Sequence, residues 1–215
     1  AVGWSTHGGR EWCSIRALSF TRFAMRYLIE ALSLLIELAF SLASLLFLLR
    51  VLLPLVHANF YNPISQTIYR STQRVLAPLR RVLRPVGKVE TSAVLIVFLL
   101  QMLKLGVLFA LRGQAISAGG LAVLALAESL SLLVSLYFWM ILARAILSLL
   151  QSGGSHHALP LLHQLTEPVL RPLRQRLPPL GGFDLSPLLA TLFLLLVRIL
   201  VIAPLLDLGL LLTRT

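Results

Sequence analysis

Residues 72–87 read TQRVLAPLRRVLRPVG and residues 166–181 read TEPVLRPLRQRLPPLG, so one basic, proline-containing pattern occurs twice at an offset of 94. Outside these stretches, the same offset places Arg50 on Arg144 and Lys104 on Arg198. Leucine matches carry little information in a leucine-rich chain, whereas matched Pro, Gly, Thr and charged residues rarely coincide by chance. The sequence therefore predicts an internal duplication.

The composition is too apolar for a soluble chain of this length. Hydrophobic residues make up 58% of the 215 residues and charged residues 13%, whereas soluble domains contain about 45–50% apolar and about 25% charged residues. Four long apolar blocks, at about 27–57, 92–112, 121–150 and 187–212, are each long enough to cross a bilayer as a helix. The sequence predicts an all-α membrane protein with four transmembrane helices.

The blocks divide the chain into two tandem units, residues 25–113 and 114–215, with two spans in each. Two spans return the chain to the side on which it entered, so the repeats are parallel and related by an axis along the membrane normal. Residues 1–24 are polar and lack an uninterrupted apolar core. They are expected to be a disordered extension, or translated sequence upstream of a natural start at Met25.

An amphipathic basic segment joins the two spans of each unit. In the first segment, Ile64, Ile68, Val75, Leu79 and Val82 fall on one side of a helical projection, with the arginines opposite. This pattern is typical of a helix that lies in the membrane plane. The candidate lipid- or partner-binding basic face consists of Arg70, Arg74, Arg80, Arg81, Arg84, Lys88, Arg171, Arg174 and Arg176.

The prolines of these segments predict interrupted helices, because proline is poorly tolerated inside a helix. We expect the first segment to break near Pro78 into two short helices. We expect Pro160, Pro168 and Pro172 to divide the second segment more finely.

The net charge of +11 sits beside apolar blocks, which favours orientation by the positive-inside bias and contact with anionic headgroups. The prediction is a multi-pass protein of the bacterial inner membrane with cytoplasmic basic segments. These segments either only cap the bundle and fix its topology, or recognise anionic lipid, a partner protein or nucleic acid, in that order. Nucleic acid is disfavoured as a direct partner, since Tyr69 is the lone stacking candidate; a homo-oligomer is a further candidate.

Charged residues inside the apolar blocks need partners or a polar cavity, because a central charge costs about 2.5–3.5 kcal/mol on insertion scales. Counting residues along each span predicts one pair per unit, Glu37 with Lys104 and Glu128 with Arg198. Such pairs either lock the hairpins or line a polar path for ions or osmolytes. Arg50 and Arg144 are expected to reach the phosphates from the span ends.

The sequence shows no enzyme signature. Gly87 and Lys88 lack the upstream Gly and the following Ser or Thr of a phosphate-binding loop. His156, His157 and His163 lie in a loop and helix start beside Gly153-Gly154 and form no recognised metal-ligand motif, which indicates a solvated region and not a metal site. We predict no catalytic residue, no cofactor and no metal.

The chain resembles the YggT family of bacterial inner-membrane proteins, which includes YlmG-related proteins, in its two-repeat proteobacterial form. The resemblance covers about residues 27–212 and rests on FLLRVLLPLVHANFYNP (47–63), on the pair of basic segments and on GFDLSP (182–187). The positions that carry the repeat and the family pattern are Arg50, Asn62, Pro63, Thr72, Pro78, Pro85 and Gly87 in the first copy, and Arg144, Thr166, Pro172, Pro179, Gly181, Asp184, Ser186 and Pro187 in the second.

The resemblance implies a non-enzymatic membrane factor that supports osmotic or envelope stress homeostasis through lipid or protein contacts. The first alternative is a channel or transport component for ions or small osmolytes. The second is an assembly factor for membrane division or cytochrome complexes, as the resemblance to plastid and cyanobacterial relatives implies. Departures between the two copies, such as Glu167-Pro168 in place of Gln73-Arg74, count against a strictly symmetric function.

Overall fold

The computed structural model describes residues 8–56, 63–80, 90–149, 158–176 and 185–213. Four helical stretches in this part of the chain are long and apolar enough to cross a membrane, which confirms the predicted all-α, four-span architecture. The elements are α1 (Gly8–Leu55), α2 (Pro63–Arg80), α3 (Thr91–Leu111), α4 (Ala118–Leu149), α5 (Ala158–Arg176), α6 (Ser186–Val197) and α7 (Ala203–Thr213), with a π-helical turn at Arg198–Ile202 between the last two. The four spans are Met25–Leu55, Thr91–Leu111, Ala118–Ser148 and Ser186–Thr213, and the fourth span consists of α6, the π-helical turn and α7.

The first helix is longer than the sequence predicts. It begins at Gly8 and continues to Leu55, so the expectation of irregular chain before Met25 is wrong for residues 8–24. No Gly or Pro occurs between residues 10 and 53, and nothing in that stretch stops an apolar helix from propagating in the N-terminal direction. The part from Met25 to Leu55 is the first span.

The prolines of the basic segments do not break their helices within the described residues. The helix α2 runs through Pro78 to Arg80, and α5 runs through Pro168 and Pro172. Proline has a helical φ; it removes one hydrogen bond to the preceding turn and its ring crowds that carbonyl, which bends a helix without having to end it. At a membrane surface, water and headgroups can satisfy the carbonyls that are left over, so the predicted breaks at Pro160, Pro168 and Pro172 are wrong. The helix α2 ends at Arg80, two residues after Pro78, and residues 81–89 lie outside the described residues, so the break near Pro78 stays a prediction.

Each unit has its own small core where the basic helix meets its two spans. In the first unit Phe47, Leu76 and Ile96 are buried together. In the second unit Ile141, Leu170 and Ala190 occupy the same places at the offset of 94. The structure therefore repeats the packing as well as the sequence pattern.

A third core joins the two units. It contains Leu53 from α1, Ile68 from α2, Met140 from α4 and Leu165 from α5. The helices that lie between the spans thus pack against each other's units, and the basic segments stand on one side of the bundle.

The fourth span differs from the second by its π-helical turn. The N–H of Ala203 donates to the carbonyl oxygen of Arg198, five residues back, directly before Pro204. Proline cannot donate to the residue four positions earlier and its ring crowds that carbonyl, which accounts for the wider turn. The matching position in α3 is Ala110, and α3 stays regular.

The fourth span approaches α4 closely near its end. A Cβ on Gly120 would lie 2.6 Å from the methyl group of Thr213, and one on Gly209 would lie 2.7 Å from Leu124. Ser117 Oγ also donates to the carbonyl oxygen of Leu212 at 2.6 Å. These contacts bring the start of α4 against α7 and fix the second unit as a tight hairpin.

Candidate functional site

A buried arginine ties the first unit together on the side of the basic segments. Arg50 of α1 is 1% exposed, and its Nε donates to Glu90 Oε2 at 2.9 Å. Arg80 of α2 donates from Nε to Glu90 Oε1 at 2.7 Å, and its Nη2 makes a second contact with that oxygen. The carboxylate of Glu90, directly before α3, therefore lies between two guanidinium groups from two other helices.

The remaining contacts of Arg50 come from α2. Its Nη2 donates to Gln73 Oε1 at 3.4 Å, and its Cζ lies 3.3 Å above the centre of the Tyr69 ring. An aromatic face attracts a guanidinium ion more strongly where water is excluded. We call Arg50, Tyr69, Gln73, Arg80 and Glu90 the first clamp, because they join α1, α2 and the start of α3.

The second unit has a matching clamp with different bonds. Arg144 of α4 is 7% exposed, and its Nη1 donates to Thr166 Oγ1 at 2.8 Å and to Glu167 Oε2 at 3.3 Å. Thr166 Oγ1 in turn donates to the carbonyl oxygen of Leu162 at 2.8 Å. We call Arg144, Thr166 and Glu167 the second clamp, because they join α4 to α5.

The two clamps use matching positions for partly different roles. Gln73 and Glu167 occupy the same place in the repeat, and each accepts from the buried arginine of its own unit. Thr72, the counterpart of Thr166, is also fully buried, and its Oγ1 donates to the carbonyl oxygen of Ile68 at 2.7 Å. Arg50 contacts Glu90, Gln73 and Tyr69, whereas the described bonds of the Thr72 hydroxyl stay within α2.

The clamps overturn the expectation that Arg50 and Arg144 extend to lipid phosphates. Both side chains are buried, and both are held by carboxylates of this chain. The motif positions Asn62, Pro85, Gly87, Pro179, Gly181 and Asp184 lie outside the described residues. Ser186 is buried at the start of α6, with Pro187 in its first turn.

The clamps carry two pKa shifts outside the spans. Desolvation, followed by the nearby positive charge of Arg144, lowers the pKa of His163 below its usual value. Desolvation raises the pKa of Tyr69, the matching residue in the first unit, although Arg50 acts in the opposite direction. Both rings are therefore favoured in their neutral forms.

The intramembrane charges pair differently from the prediction. Lys104 Nζ lies 2.9 Å from Glu128 Oε2, so the ion pair joins the second span of one unit to the first span of the other. The predicted pairing of Glu37 with Lys104 and of Glu128 with Arg198 is wrong. Residue counting placed these groups at similar depths but carried no information on which helices are neighbours.

The two charges left over are exposed. Neither Glu37 nor Arg198 has a hydrogen-bond or ion-pair partner among the described residues, and both side chains lie on the outside of the bundle. They have opposite signs and lie on the first and the fourth span.

The basic helix α2 has three distinct faces. Ser65, Ile68, Thr72 and Leu76 are buried against the bundle. The apolar side chains of Ile64 and Val75, predicted to lie on one face with Ile68, are exposed beside this buried face. Arg70, Arg74, Arg171 and Arg174 are exposed on the two basic helices, as is Arg80 at the end of α2. Of the other predicted basic positions, Arg80 belongs to the first clamp, Arg176 ends α5, and Arg81, Arg84 and Lys88 lie outside the described residues.

Sequence reasoning missed the partners of both buried arginines: Tyr69, Gln73 and Glu90 for Arg50, and Thr166 and Glu167 for Arg144. One signal was available for Glu90, because an acid directly before the second span recurs as Asp184 at the repeat offset. A repeated acid beside a repeated intramembrane arginine indicates a pair. Tyr69 and Gln73 have no equivalent signal, since their counterparts are His163 and Glu167.

Comparison with known proteins matches the whole two-unit arrangement. The family model described as CCB3/YggT matches residues 29–111 and again residues 123–205, two segments separated by the offset of 94. The protein YggT of Escherichia coli K12 is 33% identical over 169 residues, covering 79% of this chain and 88% of its own length. A protein encoded in the proC 3′ region of Vibrio alginolyticus is 38% identical over 161 residues, covering 74% of this chain and 86% of its own length.

Both relatives are described as uncharacterised, as is a Pseudomonas aeruginosa protein that is 37% identical over 166 residues, 75% of this chain and 83% of its own length. No solved structure matches this chain. The comparisons therefore show the family and the internal repeat, and the descriptions of these three relatives assign no function.

Proposed function

Because this chain belongs to the CCB3/YggT family of two-unit membrane proteins, we propose that it is a non-enzymatic factor of the bacterial inner membrane that binds anionic lipid headgroups through its two basic helices. By that contact, or by contact with a protein on the same surface, it supports osmotic and envelope homeostasis. The basic helices face the cytoplasm in this proposal, since the positive-inside bias places arginine-rich connections there.

The observation that supports this proposal is the three-faced form of α2. One face is fixed to the bundle by Ile68, Thr72 and Leu76, an adjacent apolar strip with Val75 is open, and Arg70 and Arg74 are exposed on the far side. A helix at the bilayer surface needs this order, with acyl chains beside the apolar strip and phosphates beside the arginines. The clamp holds the helix at that height, because Arg50, Glu90 and Arg80 link it to two spans.

The first experiment measures lipid selectivity in nanodiscs that contain phosphatidylglycerol and phosphatidylcholine in equal amounts. Native mass spectrometry of the released protein gives the ratio of anionic to zwitterionic lipids retained. We expect the double variant Arg70→Gln/Arg74→Gln to lose most of the preference for phosphatidylglycerol, because each arginine near an anionic surface contributes about 1 kcal/mol. The matched control is Arg26→Gln, which removes one exposed arginine from α1 on the opposite side of the membrane.

A cell-based assay then links lipid contact to homeostasis. A strain without the gene is complemented with the wild type, with the Arg70/Arg74 double variant or with the Arg26 control, and growth is followed after an abrupt change in osmolarity. We expect only the double variant to fail. Full complementation by a variant that has lost its lipid selectivity would refute the lipid-contact route.

One observation favours a second candidate, a conducting path. Ser44 Oγ and Gln101 Oε1 are buried in the first unit without a hydrogen-bond partner among the described residues. Their counterparts in the second unit, Phe138 and Leu195, line one pocket together with Arg198. The repeat therefore places Ser44 and Gln101 beside Lys104, and such a polar group inside a membrane is a candidate lining for ions or small osmolytes.

Flux of potassium and of small osmolytes from proteoliposomes tests this second candidate. A path through the first unit predicts flux above that of empty vesicles, lost in Lys104→Leu and kept in Arg198→Leu, the matched substitution in the second unit. Absence of flux from folded protein would refute the path and leave the lipid-contact proposal unaffected.

A further inference from the structure

Within one chain, the first unit is covered on one side by the second. The helix α4 lies against α3, with Glu128 bonded to Lys104. The side chains of Leu132, Leu133 and Leu136 of α4 pack on the core of the first unit. This arrangement shows how the second span of a unit receives the first span of the unit that follows it.

The surfaces that match this contact are open at both ends of the chain. On α1, the counterparts of Leu132 and Leu136 are Leu38 and Leu42, which are 53% and 58% exposed. On the fourth span, the counterpart of Lys104 is Arg198, which is exposed. The first span of this chain thus carries the surface that α4 uses, and its fourth span carries the surface that α3 offers.

A pocket marks the open side of the second unit. Its volume is about 110 Å³, and it is lined by Ser135, Phe138 and Trp139 of α4 together with Leu194, Leu195 and Arg198. In the first unit the counterparts of Phe138, Leu195 and Arg198 are Ser44, Gln101 and Lys104, all buried. The same place is therefore closed in the unit that another span covers, and open in the unit that no described span covers.

The unpaired charges lie at the same depth. Glu37 precedes Arg50 by 13 residues, and Lys104 follows Glu90 by 14 residues. Since Arg50 and Glu90 are bonded, Glu37 and Lys104 both lie about 20 Å from that level at 1.5 Å per residue. Arg198 is the counterpart of Lys104, and parallel repeats place it at the same height.

The acid on α1 is also on the required face of its helix. The counterpart of Glu128 on α1 is Leu34, and Glu37 is three residues further along. Residues three apart are neighbours on one face of a helix. An arginine side chain is long enough to reach a carboxylate that is displaced by one turn, so Glu37 can pair with Arg198 as Glu128 pairs with Lys104.

We propose that a second copy of this chain places its α1 against α4 and α6 of the first, so that its Glu37 pairs with Arg198 in the pocket. This inference concerns assembly and does not depend on the proposed function. The contact joins two different surfaces, and such head-to-tail contacts close into rings when the rotation between copies allows it. Pairing the opposite charges stabilises this contact relative to contact of α1 with lipid, since each charge alone is costly in a bilayer.

The test measures association of full-length protein in phosphatidylcholine bilayers, by energy transfer between donor- and acceptor-labelled copies diluted with lipid. The variants are Glu37→Arg, Arg198→Glu and the double variant that carries both changes. We expect each single reversal to weaken association about tenfold, which is near the upper end for the loss of one polar contact between membrane helices. We expect the double variant to recover to within about threefold of the wild type, because the pair is restored with its signs exchanged.

Two further variants protect the test against misfolding and against nonspecific apolar contact. If a reversal fails to insert, as judged by helicity and a monodisperse peak in detergent, Glu37→Gln and Arg198→Gln replace it. The variant Leu34→Glu/Glu37→Leu moves the carboxylate to the place that Glu128 occupies, and we expect it to associate like the wild type. Glu30→Arg, on the same helix seven residues away, is the control for charge reversal outside the contact.

A wild type that stays monomeric in bilayers as the protein-to-lipid ratio rises would overturn the proposal. Association that the single reversals leave unchanged would overturn it as well, because the contact would then lie elsewhere. Recovery in the double variant but not in the singles is the result that only a Glu37–Arg198 pair between copies produces.

Discussion

The two units surround the same buried arginine with different bonding partners. Arg50 meets the carboxylate of Glu90 from the start of the next span, whereas Arg144 meets a threonine hydroxyl and a half-exposed carboxylate from the basic helix. One clamp therefore joins three helices through a buried ion pair, and the described bonds of the other join two. The difference shows that the repeat keeps the arginine and the position of the basic helix, while the counter-charge is free to move between elements.

The largest loss of stability should follow removal of the Glu90 carboxylate that the two arginines of the first clamp share. Glu90→Gln leaves Arg50 buried without a counter-charge, and removing one partner of a buried pair typically costs about 3–5 kcal/mol. Removing the carboxylate that Arg144 uses, by Glu167→Gln, should cost much less, since Arg144 keeps Thr166 and the Glu167 side chain is 44% exposed. Reversible unfolding in mixed micelles measures both free energies, and equal losses would contradict the asymmetry.

The features that the two units share could be predicted from the sequence. The repeat, the four spans and the two basic helices follow from hydropathy and from matched Pro, Gly and Arg positions, and the structure confirms the spans. The offset of 94 also gives the equivalence of Arg50 with Arg144 and of Lys104 with Arg198. These features depend on local composition and periodicity, which a single sequence records well.

Which spans are neighbours in the bundle could not be predicted from the sequence. Counting residues gives depth along a span, and Glu37, Lys104, Glu128 and Arg198 all have similar depths. Which of them meet depends on the order of the helices around the bundle, and apolar spans of nearly uniform leucine content carry no record of that order. The predicted proline breaks in α5 were wrong for a related reason, because the effect of a proline depends on whether water and headgroups satisfy the carbonyl it leaves free.

A second comparison sets Lys104 against Arg198, which occupy the same place in the two units. Lys104→Met leaves Glu128 without its cation inside the bundle, and loss of a charge-assisted hydrogen bond costs about 1.5–3 kcal/mol. Arg198→Met removes a charge that has no partner within the described chain, so the isolated monomer should keep its stability or gain some. Unfolding of dilute protein in micelles checks this difference, and a comparable loss for Arg198→Met would show that it has a partner within the same chain.

The threonines allow a finer comparison, because Thr72 and Thr166 are both fully buried. Thr166→Val removes an acceptor of Arg144, and leaving a charged donor short of a partner should cost about 1–3 kcal/mol. Thr72→Val removes only a bond to the carbonyl oxygen of Ile68 within the same helix, and it should cost less than about 1 kcal/mol, the typical net worth of one hydrogen bond. The two unfolding free energies, measured side by side, would contradict the described clamps if the order were reversed.

The smallest effect should come from Tyr69 and His163, which match in the repeat and titrate in different ranges. Desolvation and Arg144 lower the pKa of His163, so the unfolded chain takes up this proton first as the pH falls. Stability should therefore be highest above the ordinary histidine pKa of 6.5, decrease as the pH falls through that value, and level off below the folded-state pKa. The decrease should be modest, because His163 is exposed.

His163→Gln should flatten this part of the curve between pH 8 and pH 5, whereas Tyr69→Phe should leave it unchanged, since the raised pKa of Tyr69 lies far above this range. A curve that keeps its slope in His163→Gln would show that the acid sensitivity of the second unit arises from another group.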